Sequence, residues 1–260
     1  MKRKLCFATL GCPEWSLREI AFHAGNYGYN AVELRIGGDK HIDHTMTTDD
    51  RLNLVKLFEK SGLAIASISS YAHFAGNNET DLTGQYSTLI REIDLARDIF
   101  APYIRVFMGN ADNGILSGSG KSLLRKACDY ATSKGVMVLL ETHDTCSAGK
   151  QVYNILNSVN SNGLGVIWDI HHTVKAGESV IETYALLGKS IKHVHLKDAK
   201  ADGSLCLTGE GILPIREVVN VLENDAYDGY FSLEWEKMWK PELAGPEIAF
   251  PQYVGYMKSL

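Results

Sequence analysis

Several features are missing from this chain, and each absence removes a class of function. No run approaches the roughly 18 apolar residues of a membrane span, so no membrane partner is expected. Paired cysteines are missing too. Cys6, Cys12, Cys128, Cys146 and Cys206 are odd in number, scattered and without any CxxC spacing, which argues against a disulfide framework or a thiolate zinc site and fits a reducing, cytoplasmic setting. Basic excess is absent: 26 Lys and Arg stand against 31 Asp and Glu, for a formal charge of -5 and a pI near 6.0. No surface for a phosphate backbone follows, and no nucleic-acid partner is expected.

Nucleotide motifs are missing as well. Where a GxGxxG would follow the first strand, GCPEWS stands instead. GILSGSGKS at 114–122 resembles a phosphate-cradling loop, but that motif needs glycine five places before Gly120, where Ile115 stands; Gly114 is one residue too early. Its amides remain candidates for holding a substrate phosphate. The start, MKRKLCFATLGC, imitates a secretion signal only weakly, because its apolar run is minimal and cleavage would delete the first expected strand. No linker or low-complexity segment interrupts the chain, so residues 1–260 are expected to form one domain.

What is present is a rhythm. Short β-branched runs near 4–9, 31–36, 64–70, 103–108, 136–141, 165–170, 191–196 and 229–235 alternate with stretches of helical period. Leu17, Ile20, Ala21 and Ala24 form one helical face before Gly25 and Gly28 break it, and Ile215, Val218, Val219 and Leu222 form another. Runs such as VMVLL (136–140) are apolar on both faces, as strands of parallel sheets are. Eight such units in 260 residues match a TIM (β/α)8 barrel.

In such a barrel the strand C-termini build the active site. The last four expected strands end alike, in Glu141 (VMVLLE), Asp169 (GVIWD), His195 (IKHVHLKD) and Glu234 (GYFSLEWE). Three carboxylates around one mouth repel unless a cation sits among them. Oxygen and nitrogen donors without thiolate suit one divalent ion of manganese, cobalt, magnesium or zinc. Alternation places His193 one layer below His195.

Together LLETHD, WDIHHT, HVHLKD and GYFSLEWE, with AVELR at 31–35 and GEG at 209–211, resemble the sugar phosphate isomerase/epimerase family, the xylose isomerase-like TIM barrels. The resemblance covers the whole chain and implies the same metal ligands: Glu141, Asp169, His195 and Glu234. It further implies that Glu141 and Glu234 act as acid and base, and that the D-x-x-H pair Asp169 and His172 places the histidine on a substrate oxygen, with His171 a bystander. The implied substrate is a small polyhydroxy carbonyl compound. A bound metal would polarise its carbonyl and stabilise an enediolate, one glutamate removing the neighbouring proton and the other returning it. Isomerisation, epimerisation and an inosose-type dehydration share these residues, and a non-catalytic sugar-binding barrel is the reading from another class.

Weaker candidates are His73 and Lys197 as substrate contacts, and Glu33, which points to the mouth or pairs with Arg35. Arg105 is a candidate for a substrate anion or an internal carboxylate, and Trp15, Trp235 and Trp239 for an apolar wall. The run HLKDAKADG lacks the arginine that D-tagatose 3-epimerase relatives carry, which weighs against a free ketohexose. LTGEG replaces the Asp-x-His of endonuclease IV, which with the acidic balance weighs against DNA repair. Assembly as a homo-oligomer is left open.

Overall fold

A computed structural model describes residues 3–37, 41–76, 78–110 and 115–260. Gly114 of the loop at 114–122 lies outside them. Eight strands alternate with helices along the chain: β1 (Lys4–Phe7), β2 (Ala31–Arg35), β3 (Ala64–His73), β4 (Tyr103–Phe107), β5 (Met137–Glu141), β6 (Leu164–Asp169), β7 (Ile191–Leu196) and β8 (Tyr230–Leu233). All pair in parallel in the order β1-β8-β7-β6-β5-β4-β3-β2. A bridge between Ala8 and Glu33 brings the two ends together, giving a nearly closed TIM barrel. The eight expected strands are all present, and the last is shorter than expected, ending at Leu233 so that Glu234 is the first residue beyond it.

The helices on the jacket are α1 (Leu17–Tyr27), α2 (Thr48–Lys60), α3 (Glu79–Asp98), α4 (Gly118–Ser133), α5 (Gly149–Val159), α6 (Ile170–Lys175), α7 (Val180–Leu187), α8 (Ile215–Asn224) and α9 (Pro246–Ser259). Reciprocal Ser16–Glu19, Thr47–Asp50 and Ser179–Glu182 caps start α1, α2 and α7, satisfying amides that the first turn leaves open. Gly25 does not break α1; it lies inside the helix, and Gly28, left-handed at φ 91°, ends it. Tertiary burial of Ile20, Ala21 and Ala24 outweighs the roughly 1 kcal/mol that a mid-helix glycine costs.

The core is the layer between sheet and helices. Outward-facing Val138, Leu140, Val166, Trp168, Val194 and Phe231 pack there with helix residues such as Val152, Ile155, Val218 and Leu222. Each large side chain buried in this jacket contributes about 1.5–3 kcal/mol. The bore is different. Small residues, Cys6, Ala31 and Ala66, cluster apart from the jacket, and Ser67, Ser69 and Ser232 are buried in their strands. Leaving the bore thin permits a buried polar assembly above it.

Candidate active site

Register brings the polar strand ends level. Ser232 stands opposite His195 and His195 opposite Asp169 across β8, β7 and β6. Glu141 closes β5. Asp169 closes β6 and caps α6, its Oδ1 accepting the His171 and His172 amides at 2.9 and 3.4 Å. This leaves Oδ2 facing the bore, where Lys197 Nζ donates to it at 2.7 Å. Thr142 fixes the strand end, its Oγ1 donating to the Asp169 carbonyl at 3.1 Å and accepting from the Asp169 amide at 2.8 Å. Glu234 is held by its own amide, which donates to the Leu196 carbonyl at 2.9 Å. Each of Glu141, Asp169, His195 and Glu234 offers a donor atom to a group spanning no more than 4.8 Å, and all four residues are buried.

Buried carboxylates so close together need positive charge, and the chain supplies it. Lys197 bridges Asp169 and Glu234 and reaches Glu236 Oε1 at 3.2 Å. Arg105 Nη1 lies 3.2 Å from Glu141 Oε2 and 3.7 Å from Glu234 Oε1. His195 Nδ1 lies 2.8 Å from Glu141 Oε1 and 3.4 Å from Glu234 Oε1. Burial works against the charges of Glu141, Asp169 and Lys197, and their partners prevail. It would raise the Glu141 carboxyl, but His195 and Arg105 lower it to about 2. Asp169 is likewise driven well below the usual carboxylate range by Lys197, His172 and His195. Burial would discharge Lys197, yet Asp169, Glu234 and Glu236 hold it firmly charged.

A second layer orients the first. His195 Nε2 lies 2.9 Å and His193 Nε2 3.0 Å from Glu33 Oε2, while Ser69 Oγ donates to Glu33 Oε1 at 2.6 Å. Burial alone would raise the Glu33 carboxyl, but the two imidazoles hold it well below its ordinary range. Burial would lower the His195 pKa, but Glu33, Glu234 and Glu141 hold it well above the ordinary imidazole value, so both ring nitrogens carry protons. Holding a divalent ion would require Nδ1 to release its proton, and an anionic Glu33 would keep the remaining one on Nε2. The Nδ1 lone pair so freed would face Glu141 and Glu234. Three carboxylates and this nitrogen make an oxygen-rich, thiolate-free donor set that fits a divalent ion. Glu141 Oε2 is also buried without a hydrogen-bond partner, although Arg105 is near.

The remaining expected residues distribute unevenly. His172 Nε2 lies 3.6 Å from Asp169 Oδ2 and its ring is 4.3 Å from that of His143, so it stands at the cluster. Lys197 is inside it. Glu33 is below the mouth, facing His193 and His195 rather than Arg35. His73 is not brought in: it ends β3, with Nε2 3.7 Å from Asp81 Oδ2 on α3. Arg105 faces internal carboxylates. Trp15 stacks on His23 and Trp235 is buried with Nε1 donating to the Ala244 carbonyl, whereas Trp239, though exposed, borders the cavity over the cluster.

Sequence reading passed over His143, although LLETHD contains it. Its Nδ1 lies 2.8 Å from Asp144 Oδ1; burial lowers its pKa, and Asp144 and Glu141 more than restore it. It also passed over Asp198, whose carboxylate accepts the amides of Ala199, Gly209, Gly211 and Leu213 at 2.9, 2.8, 3.0 and 3.2 Å. That carboxylate ties the GEG loop to the end of β7. A cavity of about 330 Å³ opens onto the cluster, bordered by Arg35, Tyr71, Arg105, His143 and Glu234. A larger one, about 440 Å³, lies at the other end of the strands, where Arg3 and Lys4 are already paired with Glu223 and Asp228. It holds no convergent donor set.

Comparison with known proteins agrees with this architecture. Over 161 residues the chain is 27% identical to fructoselysine 3-epimerase of Shigella flexneri, covering 58% of each protein. Over 143 residues it is 23% identical to inosose dehydratase of Clostridium perfringens, covering 47% of this chain and 48% of that one. The chain thus spans about half the length of the curated relatives it matches. The crystal structure of the probable 3-DHS dehydratase AsbF from Bacillus anthracis superposes with a TM-score of 0.80 at 18% identity, covering 98% of both chains. The family model for the xylose isomerase-like TIM barrel matches residues 23–253, and the chain belongs to that family.

Proposed function

We propose that this chain is a divalent-metal-dependent carbohydrate isomerase or epimerase that moves a proton beside a carbonyl group. The observation that carries this reading is the meeting of Glu141, Asp169, His195 and Glu234, buried and within 4.8 Å donor to donor, beneath an open cavity. Those four would hold one ion of manganese, cobalt, magnesium or zinc, which when bound polarises a carbonyl and stabilises negative charge developing on its oxygen. Glu141 and Glu234 handle the proton: one carboxylate takes it from the carbon next to the carbonyl and the other returns it from the opposite face. Arg105 keeps Glu141 ionised for that role. Lys197 places a fixed positive charge beside the developing enediolate, and His172 donates to or accepts from a substrate oxygen. Residues 1–260 act as one domain in the cytoplasm, on a small polyhydroxy carbonyl compound.

Similarity to inosose dehydratase favours a second outcome on the same residues, expulsion of a β-hydroxyl as water. Incubation of the metal-loaded protein with ketoses and keto-inositols in heavy water separates the outcomes. Deuterium beside the carbonyl of recovered sugar supports isomerisation or epimerisation, and an enone product without exchange supports dehydration. Sugar binding with neither, unchanged in Glu141→Gln, would leave only a binding module.

A further inference from the structure

The bore matches its charges closely, with one exception. Arg105, Lys197 and His195 each face at least two carboxylates. Arg35, at the end of β2 and 2% exposed, has none among the described residues. Its Nε donates to Tyr71 Oη at 2.8 Å, and its Nη2 is sealed from solvent with no acceptor. A buried guanidinium without an anion is costly to retain.

The described residues around it hold it in place without neutralising it. The guanidinium carbon lies 5.4 Å from the ring centre of Trp239 and 5.8 Å from that of Tyr71. Aromatic faces of this kind orient a cation by their quadrupole. The Arg35 amide is fixed on Thr9 Oγ1 at 3.1 Å. Arg35 borders the same cavity as Glu234, and the acids there, Glu234 and Glu236, are already engaged by Lys197 and Arg105. At about 330 Å³ the cavity suits one small molecule reaching from the carboxylate cluster to Arg35.

We propose that Arg35 is an anion subsite of this cavity, receiving a carboxylate or phosphate group at the end of the substrate remote from the reacting carbon. The planar fork of a guanidinium matches the paired oxygens of either group. The proposal rests on reading the neighbouring cluster as a proton-transfer centre and narrows its substrates to acidic polyhydroxy carbonyl compounds, such as sugar phosphates or keto sugar acids.

The test is calorimetric titration of the full chain with inorganic phosphate, with glycolate and with neutral glycerol, repeated on Arg35→Met and Arg35→Lys after melting curves show both variants folded. Saturable binding of phosphate or glycolate but not glycerol is expected, the anion that binds identifying the group. Arg35→Met should weaken it at least about tenfold, the scale of a charge-assisted hydrogen bond, with partial recovery in Arg35→Lys. Absence of saturable binding to both anions, or equal binding by wild type and Arg35→Met, overturns the subsite. Heavy-water exchange with neutral and acidic sugars, run in parallel, reports the proton-transfer reading separately. Exchange with neutral sugars beside failed anion binding removes the subsite alone, whereas anion binding without any exchange removes only the catalytic reading.

Discussion

Replacing Glu33 by glutamine tests how the second layer controls the first. The carboxylate receives Ser69 Oγ at 2.6 Å, His195 Nε2 at 2.9 Å and His193 Nε2 at 3.0 Å, all in a site sealed from water. An amide of the same shape keeps one acceptor oxygen and turns the other position into a donor. If that donor faces His195, the imidazole, once neutral as metal binding requires, must accept at Nε2 and carry its proton on Nδ1. That nitrogen lies 2.8 Å from Glu141 and 3.4 Å from Glu234, so the lone pair offered to a divalent ion disappears. Loss of such an orienting partner weakens metal affinity by about 10–100-fold, or about 1.4–2.8 kcal/mol. Competition for Mn²⁺ against a fluorescent chelator measures the change, with thermal melting as the control for folding. A folded Glu33→Gln protein binding Mn²⁺ within about twofold of wild type, while His195→Ala binds none, would refute control of the tautomer by Glu33.

Asp169→Ala removes the cap of α6 together with one donor of the cluster; metal analysis is expected to find a near-stoichiometric divalent ion in purified wild type and little in the variant, and equal content in both would remove Asp169 from the ligand set. Asp198→Ala strips four backbone amides of their acceptor; a stability loss of about 2–4 kcal/mol is expected, with faster hydrogen exchange over 209–213. Unchanged exchange there would show that the loop is held by something else. Glu92, packed on Ser70 of β3, has its carboxyl pushed up to about 7 by burial, against the opposing hydrogen bond from Ser70. An acid raised on folding binds its proton more tightly in the native state, so stability is full below the ordinary carboxylate value and falls as pH rises toward 7, by roughly 3 kcal/mol at most. Urea midpoints at about pH 5 and about pH 8 should therefore differ less in Glu92→Gln than in wild type; equal differences would show that Glu92 does not set this slope.

Much of this architecture is legible in the sequence because two periods carry it. β-Branched runs such as VMVLL mark strands buried on both faces, and i, i+3, i+4 faces such as Ile215, Val218, Val219 and Leu222 mark the helices that cover them. The carboxylate and imidazole endings of β5 to β8 stand out because each recurs at the same point of its unit. What alternation does not give is height in the bore. Period two says that Glu33 points inward, but the stagger of β2 against β7 decides that it meets His195 rather than solvent. The register shift between Val32 and Glu33 against β3 is invisible in AVELR. His73 shows the reverse case: its strand runs to residue 73, and the imidazole ends beside Asp81 of α3. Asp198 reads as one more polar residue at a strand end, since its acceptor role depends on amides up to 15 positions away.

The separation between a greasy jacket and a polar bore has a consequence for what this scaffold can become. Cohesion resides in Trp168, Val194, Phe231 and their helical neighbours, none of which belongs to the ionic cluster. Residues that meet the ligand hang from strand ends whose positions the jacket already fixes. Exchanging Trp239 or Tyr71 would therefore alter which molecules are accepted while leaving the assembly intact, so selectivity can drift here much faster than architecture.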